Sequence, residues 1–389
     1  MPILSILIPT KSNAATIRST VNTARAVAIS DAEIVVQDCG STDDTEREMR
    51  SIADDRLRYY RSPPGISMTA NWNAGINNCH GDYICILGAD DGVSPYLAEA
   101  VTWAARNNIS AIVPPFTASY TWPRADGCGG ETAGDLTMRT SYTGAISYVS
   151  AREALEAYCR TGADYGESLK LPSLYRCLVS RTLLNKIREH LPYYIGGTSP
   201  DVYSSVALAR VAANWVYLDY PLFLPGCSAE SYSLRTNLRL DERDLTENCI
   251  TKEYRNLTWP PSVPGFVTVV TGTAESTLIA LAELDCSELL REFNYYALYS
   301  RCFIGSPRYW RATWKCLSSR IHAAASGAEV VAATARFGRE LARCCCRRVR
   351  SGVQRRLKNG PEGRVFSPVR TVEQAVETLH AAVPQPRFH

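Results

Sequence analysis

The stretch YICILGADDG, Tyr83 to Gly92, decides the fold. Its apolar residues are bounded by a Gly81-Asp82 turn and by an acidic, glycine-bearing corner. This is the pattern of a central strand covered on both faces. The strand ends in two adjacent carboxylates, Asp90 and Asp91. In open α/β sheets ligands bind outside the carboxyl ends of the strands, so hard oxygen ligands at this point can hold a divalent cation against the phosphates of a ligand.

Working outward, the same plan recurs upstream. SILIPT (Ser5 to Thr10) reads as a strand stopped at Pro9, with Ser12 or Asn13 placed to cap a helix along which Ile17, Val21, Ala24 and Ala28 share a face. EIVVQDCGSTDDT (Glu33 to Thr45) repeats it: an apolar run, Asp38 at its end, a glycine turn, then a helix with Thr45, Met49 and Ile52 on one side. A third strand fits Leu57 to Arg61. SMTANWNAGINNC (Ser67 to Cys79) is a helix feeding the 83–87 strand, and Ser94-Pro95 starts the next helix. Alternation of this kind predicts an α/β fold with a mostly parallel sheet flanked by helices.

In such a sheet Pro9 to Asn13, Asp38 to Asp43 and Gly88 to Gly92 share one edge. Neither a GxGxxG nor a GxxxxGK[ST] fingerprint is present. The neutralisation of a diphosphate then falls to carboxylates and a metal, Mn2+ or Mg2+.

The runs SILIPTKSN, VVQDCGSTDDT and TANWNAGINNCHGDYICILGADDG together resemble the nucleotide-binding half of the inverting family 2 glycosyltransferases, which have the GT-A fold. The resemblance is close over roughly the first hundred residues and looser to about residue 240. It implies that Pro9 and Thr10 line a nucleoside pocket, that Asp38 contacts the base, and that Gly88, Ala89, Asp90 and Asp91 form a DxD-type motif on the donor diphosphate. Asp90 is then the first metal ligand and Asp91 the second. The family often has Asp where this chain has Gly88, which implies a weaker or unusual metal site. Asp43 and Asn73 complete the donor-binding set, each with a structural alternative. Asp43 and Asp44 open a helix whose dipole favours carboxylates, and Asn73 can stabilise a loop. Asp38 can equally bond the backbone of the following turn.

Further along, residues 114–144 loosen into a Gly-, Pro- and aromatic-rich loop or irregular hairpin. Tyr120 and Trp122 there either offer an aromatic platform to an acceptor sugar or pack the loop down. In GGTSPDVYSSVALA (Gly196 to Ala209), Ser199 and Pro200 start a helix with Asp201 in its first turn. The resemblance implies a catalytic carboxylate here, often in a Glu-Asp pair whose first position is Pro200 in this chain. Asp201 is then the general base for the acceptor hydroxyl, and a helix-dipole carboxylate is the alternative. A strand pair is expected around Trp215 to Leu218 and Pro221 to Leu224. In Pro225 to Asn237 the resemblance implies a segment that closes over the phosphates, with Arg235 or Arg239 adding charge.

The 389 residues, 46% of them apolar, can bury a large core, and a net charge of +3 conceals an asymmetry. Residues 1–300 hold 25 Lys/Arg against 34 Asp/Glu, and residues 301–370 hold 16 against 3. Arg336, Arg339, Arg343, Arg347 and Arg350 recur at helical spacing opposite Phe337, Leu341, Cys345 and Val349, which reads as a basic amphipathic helix. With Trp310 and Trp314 among the cations of PRYWRATWK, three readings stand: adsorption to an anionic membrane surface, packing on the acidic half, or a homodimer contact. No nucleic-acid-binding module is recognised. The expected organisation is a nucleotide-sugar-binding half over 1–115, an acceptor-binding half over 116–240, a connecting helical segment over 241–300 and a basic helical region over 301–389.

Met1-Pro2 leads straight into a strand with no export leader, so the expected place is the cytoplasm, with peripheral membrane association one option. The fourteen cysteines, scattered and without a CxxC pair, fit reduced thiols rather than disulfides or zinc. The expected function is transfer of a sugar from a nucleoside diphosphate donor, a UDP-sugar first, to a hydroxyl of a glycan or lipid-linked acceptor with inversion, as in polysaccharide biosynthesis. A catalytically silent nucleotide-sugar or glycan-binding module at the membrane is the alternative. A nucleotidyltransferase is disfavoured, because a Gly-rich, Arg/Lys-bearing loop after the first strand is missing.

Overall fold

The computed structural model describes residues 2–123, 133–164, 170–229, 231, 243–245, 258–357 and 363–388. The first hundred residues alternate as the sequence predicts, with β1 (Leu4–Thr10), α1 (Ile17–Arg25), β2 (Ala32–Asp38), α2 (Thr45–Arg50), β3 (Leu57–Arg61), α3 (Met68–Asn77), β4 (Tyr83–Ile86) and α4 (Leu97–Arg106), and a short strand the sequence reading did not expect, β5 (Gly92–Val93), lies between the last two. Strands β6 (Ala111–Val113), β7 (Ala118–Thr121), β8 (Leu136–Met138) and β9 (Ile146–Ser150) precede α5 (Ala151–Arg160), β10 (Leu178–Ser180), α6 (Arg181–Arg188), α7 (Pro200–Val211), β11 (Asn214–Leu218), β12 (Phe223–Leu224) and β13 (Gly226–Cys227).

Eight strands form one sheet in the order β3-β2-β1-β4-β10-β6-β11-β9. β3, β2, β1 and β4 run parallel, β10 is antiparallel to both its neighbours, and β9 is antiparallel to β11. The sheet crosses the expected boundary near residue 115, so the two halves share a single framework. β4 is fully buried, with Ile84 and Ile86 in the core on one face and Tyr83, Cys85 and Leu87 in the core on the other. An apolar run without alternation therefore marks a strand covered on both sides.

The long loop is a hairpin, β7 against β8, and residues 223–224 do not pair with 214–218. β12 instead pairs antiparallel with β5, Phe223 opposite Val93 and Leu224 opposite Gly92. That pairing carries residues 225–228 to the carboxyl end of β4.

After the two-stranded ladder of β14 (Arg243–Asp244) and β15 (Phe266–Val267), the chain is helical: α8 (Val269–Glu283), α9 (Ser287–Glu292), α10 (Tyr295–Gly305), α11 (Trp310–His322) and α12 (Gly327–Leu357). The chain then returns to the first half. β16 (Arg364–Phe366) adds to β8, and α13 (Val372–Ala382) seats Val372 and Val376 against Gly92, while Glu373 accepts from Asn22 and His380 meets Ser94 Oγ at 2.8 Å. The region beyond 301 is therefore not one detached basic appendage, because its last part completes the core around α1 and β5. The basic helix also differs from its expected pattern. Phe337 is half-buried and packs on Phe303 of α10, whereas Cys345 and Val349 are exposed. Among the described residues no helix is long and apolar enough to cross a membrane, and no cysteine is in a disulfide.

Candidate active site

Parallel pairing sets Thr10 opposite Asp38 and Leu7 opposite Ile86, so the chain leaves β1, β2 and β4 at one edge. The segment 173–176 joins them. Ile86 donates its N–H to Leu174 and accepts from the Arg176 N–H, which fastens Tyr175 and Arg176 beside the end of β4.

Asp91 is fully buried and saturated. Its Oδ2 accepts from the Gly88 N–H (2.8 Å), Tyr175 Oη (2.9 Å) and Arg176 Nε (2.9 Å), and its Oδ1 from Arg176 Nη2 (3.0 Å) and the Gly226 N–H (2.7 Å). The guanidinium also lies 4.1 Å from the Tyr175 ring centroid. A bidentate Arg–carboxylate pair with three further donors leaves no lone pair for a cation. Asp91 is therefore an anchor of the corner, which corrects its assignment as a metal ligand.

Asp90 is the carboxylate left to act. Its Oδ2 accepts from Ser228 Oγ (2.7 Å) and the Ser228 N–H (3.2 Å), and no hydrogen bond to Oδ1 is found among the described residues. Burial, together with the adjacent Asp91 charge, pushes its pKa up to about 6, while Ser228 and Arg176 pull the other way. A nearby cation would relieve that strain on the ionised form. No cluster of three His, Cys, Asp or Glu able to hold a metal occurs among the described residues. What fits Asp90 is a single-carboxylate site, with the cation's remaining positions taken by ligand phosphates and water.

Gly88 has a steric reason. A Cβ there would meet Asp91 Oδ2 and Tyr175 Oη, each at 2.7 Å, so an Asp in this position is incompatible with the anchored Asp91. Gly88→Ala is expected to destabilise the fold by about 1–3 kcal/mol through overpacking, read as a lower urea midpoint at unchanged slope. An unchanged midpoint would show that the corner relaxes freely.

Asp201 lies in the first turn of α7, behind the Ser199 N-cap position and Pro200. Burial pushes its carboxyl above the ordinary range, opposed by the Val202 amide and by the charge of Arg176. Its backbone carbonyl is held by Ser204 Oγ (2.8 Å) and Ser205 Oγ (2.9 Å), which fixes the turn. Ser173 Oγ also donates to the Asp201 carbonyl (3.2 Å), so the 173–176 segment that brings Arg176 to Asp91 touches the first turn of α7 as well, and the Arg176 charge favours the ionised forms of both Asp90 and Asp201.

The other candidates divide by their partners. Asp38 is buried and organises the turn after β2. Its Oδ1 accepts from the Ser41 N–H (2.8 Å) and Oγ (2.6 Å) and its Oδ2 from Tyr59 Oη (2.5 Å), with room for one further donor. Thr10 is buried beside it and Pro9 is half-buried. Asp43 accepts from Ala14 N–H, Thr45 N–H and Thr45 Oγ1. Desolvation raises its pKa, but those bonds from Thr45 and Ala14 outweigh it and leave the carboxyl below its usual range. Asn73 is a clasp: its amide donates to Ile195 O (2.8 Å) and Thr69 O (3.0 Å) and its Oδ1 accepts from Tyr194 N–H (2.9 Å) and Ile195 N–H (3.3 Å). It holds the loop that leads to Asp201, the structural alternative of its sequence reading.

Tyr120 and Trp122 offer no exposed aromatic platform. Tyr120 is fully buried with its hydroxyl on Val369 O (3.2 Å), and Trp122 is buried with Nε1 on the Asp90 carbonyl (2.8 Å). The hairpin returns through the core beneath the acidic corner, so both rings support it from below. Ala89, also buried, accepts through its carbonyl from Thr16 Oγ1 (2.9 Å). Arg235 and Arg239 lie outside the described residues.

Sequence reasoning missed Tyr175, Arg176, Gly226 and Ser228. One signal for Arg176 was available: a single cation in SLYRCLV, on the way into a buried strand, must find a buried partner. Ser228 lies in the Pro225 to Asn237 segment that the resemblance sets over the phosphates, but its contact with Asp90 depends on the β5–β12 pairing and has no local signal.

Comparison with known proteins places these observations. The family model described as Glycosyl transferase family 2 matches residues 5–126. An uncharacterised glycosyltransferase of Rickettsia typhi is 33% identical over 98 residues, 25% of this chain and 30% of the relative. The GalNAc(5)-diNAcBac-PP-undecaprenol beta-1,3-glucosyltransferase of Campylobacter jejuni is 29% identical over 98 residues, 23% of this chain and 30% of the relative. The similarity thus spans less than a third of these curated relatives. Among solved structures, S. aureus TarS 1-349 in complex with UDP-GlcNAc superposes with a TM-score of 0.51 at 12% identity, covering 88% of this chain and 89% of that one. That likeness is one of fold, and the fold is GT-A.

Proposed function

From the match of residues 5–126 to the glycosyl transferase family 2 model we propose that the chain moves a sugar from a nucleoside diphosphate donor, a UDP-sugar first, to a hydroxyl of a glycan or lipid-linked acceptor with inversion. One observation carries the reading: Asp90 stands past the carboxyl end of β4 with one oxygen open, and the 173–176 segment that anchors the neighbouring Asp91 also holds the Asp201 turn through Ser173. A divalent cation, Mn2+ or Mg2+, held by Asp90 would supply charge neutralisation for the diphosphate. Everything else falls to the chain's own side chains.

Thr10 and Asp38 border the place for the nucleoside. Arg176 and the Gly88 and Gly226 amides fix Asp91 and with it the backbone that presents Asp90. Asp201 takes the proton of the acceptor hydroxyl as that oxygen attacks the anomeric carbon and the bond to the diphosphate breaks. Its raised pKa suits a base working near neutrality better than an ordinary carboxylate would.

The silent-module alternative draws on the Arg176–Asp91 pair, which withdraws one carboxylate of the motif from metal chemistry. The deciding experiment is calorimetric titration with UDP, GDP, dTDP and CMP, each with Mn2+ and with chelator, on the wild type and Asp90→Ala. Binding of one nucleotide that weakens at least about tenfold on chelation and in the variant supports the transferase reading. Binding indifferent to both sinks the role of Asp90 and leaves the silent module as the better account.

A further inference from the structure

The outward face of α11 carries the two exposed tryptophans found among the described residues. This helix buries Thr313 and Leu317 and turns Trp310, Arg311, Trp314 and Lys315 to solvent, the two indoles one turn apart at 51% and 52% exposure. Two tryptophans half in water on one helix face are costly for a soluble surface. The cations lie with them: the Arg311 guanidinium is 5.5 Å from the Trp310 ring centroid, and one turn upstream Arg308 is 4.7 Å from that of Tyr309.

We propose that this face of α11 docks on an anionic lipid bilayer, with Trp310 and Trp314 seated at headgroup depth and Arg311 and Lys315 on lipid phosphates. Indoles sit by preference where an apolar body and a polar N–H are both satisfied, which is the membrane–water boundary. Charge complementarity favours lipid as the occupant, since residues 301–370 hold 16 Lys/Arg and 3 Asp/Glu, whereas residues 1–300 are net acidic. A protein interface would be expected to exclude Lys from its core rather than set it beside the aromatic anchor.

The structure also narrows the membrane reading of the sequence to one of its two parts. In a basic amphipathic helix the apolar stripe inserts, but in α12 the aromatic part of that stripe is covered, with Ala333 buried and Phe337 packed 5.8 Å from Phe303, and what stays exposed, Cys345 and Val349, carries no ring. α12 can add charge through exposed residues such as Arg339 and Arg343, and the anchor is left to α11. The inference does not depend on the transferase reading, because α11 contributes no residue to the acidic corner.

The test is co-sedimentation of the full chain with vesicles of phosphatidylglycerol and phosphatidylcholine, against vesicles of phosphatidylcholine alone, at low and at 0.5 M salt. Binding should require the anionic lipid, fall with salt, and blue-shift the tryptophan emission. Trp310→Ala/Trp314→Ala and Arg311→Glu/Lys315→Glu should each weaken it about tenfold or more, with nucleotide binding and circular dichroism unchanged. Absence of vesicle binding, equal binding to neutral vesicles, or full binding by both variants would each overturn the proposal, as would capture by duplex DNA or RNA without any affinity for vesicles.

Discussion

Asp201→Asn is expected to lower transfer 100- to 10,000-fold, on the order of the contribution of a positioned general base, while nucleotide affinity stays within about twofold of the wild type. The split separates a proton acceptor from a donor-binding or structural carboxylate. A general base works in its ionised form, so the rate of the wild type should rise with pH through the pKa of Asp201. Because burial raises that pKa, the rising limb should lie above the ordinary carboxylate range, and it should be absent from the residual activity of the Asn variant. The sign for stability runs the other way. A carboxylate with a raised folded-state pKa opposes folding as pH rises past its unfolded value, so the neutral Asn variant should be at least as stable as the wild type at pH 7. Unimpaired turnover in Asp201→Asn would remove the base assignment. A loss of turnover matched by a loss of nucleotide binding would place Asp201 in the donor site instead.

Arg176→Met should be the most damaging substitution for the fold itself, costing about 3–5 kcal/mol. It strands the Asp91 carboxylate, which has no solvent exposure, without the cation that meets it through two hydrogen bonds. Arg176→Lys should recover only part of the loss, since an ammonium cannot reproduce the fork that engages both oxygens while lying against the Tyr175 ring. Combining Arg176→Met with Asp91→Asn removes the orphaned charge and should restore much of the stability. Urea midpoints of the four proteins form the measurement. If the double variant is no more stable than Arg176→Met, the cost arises from lost packing of the Arg176 side chain rather than from the unpaired carboxylate.

How much of this was legible beforehand differs from element to element. The alternation of strands and helices to residue 106 could be read because β1, β2 and β4 are short apolar runs followed by Pro, Gly or Asp, and α1 and α4 carry periodic apolar faces. The acidic corner could be read for the same reason: Asp90 and Asp91 come one short turn after a strand with no charged residue inside it. Tyr120 and Trp122 misled, because a Gly- and Pro-rich context suggests an exposed loop while the hairpin it encloses runs through the core. Asp91 misled differently. In a sequence its carboxylate is indistinguishable from that of Asp90, and only the arrival of Arg176, 85 positions later, tells them apart.

By itself the sequence determined the parallel half-sheet, the edge at which its loops gather, and the presence of carboxylates there, because periodicity and strand-end chemistry are local properties that neighbouring residues impose on one another. The tertiary structure alone decided which carboxylate is free. Asp91 is taken by Arg176 and the Gly226 amide, Asp90 is approached on one oxygen by Ser228, and Asp201 is brought into the field of the same arginine. It also decided that Phe337 of α12 packs on Phe303 of α10, which leaves the exposed aromatic rings of this region to α11. Ion pairing and burial depend on distance through space, and strand pairings such as that of β5 with β12 set those distances between residues far apart in the chain.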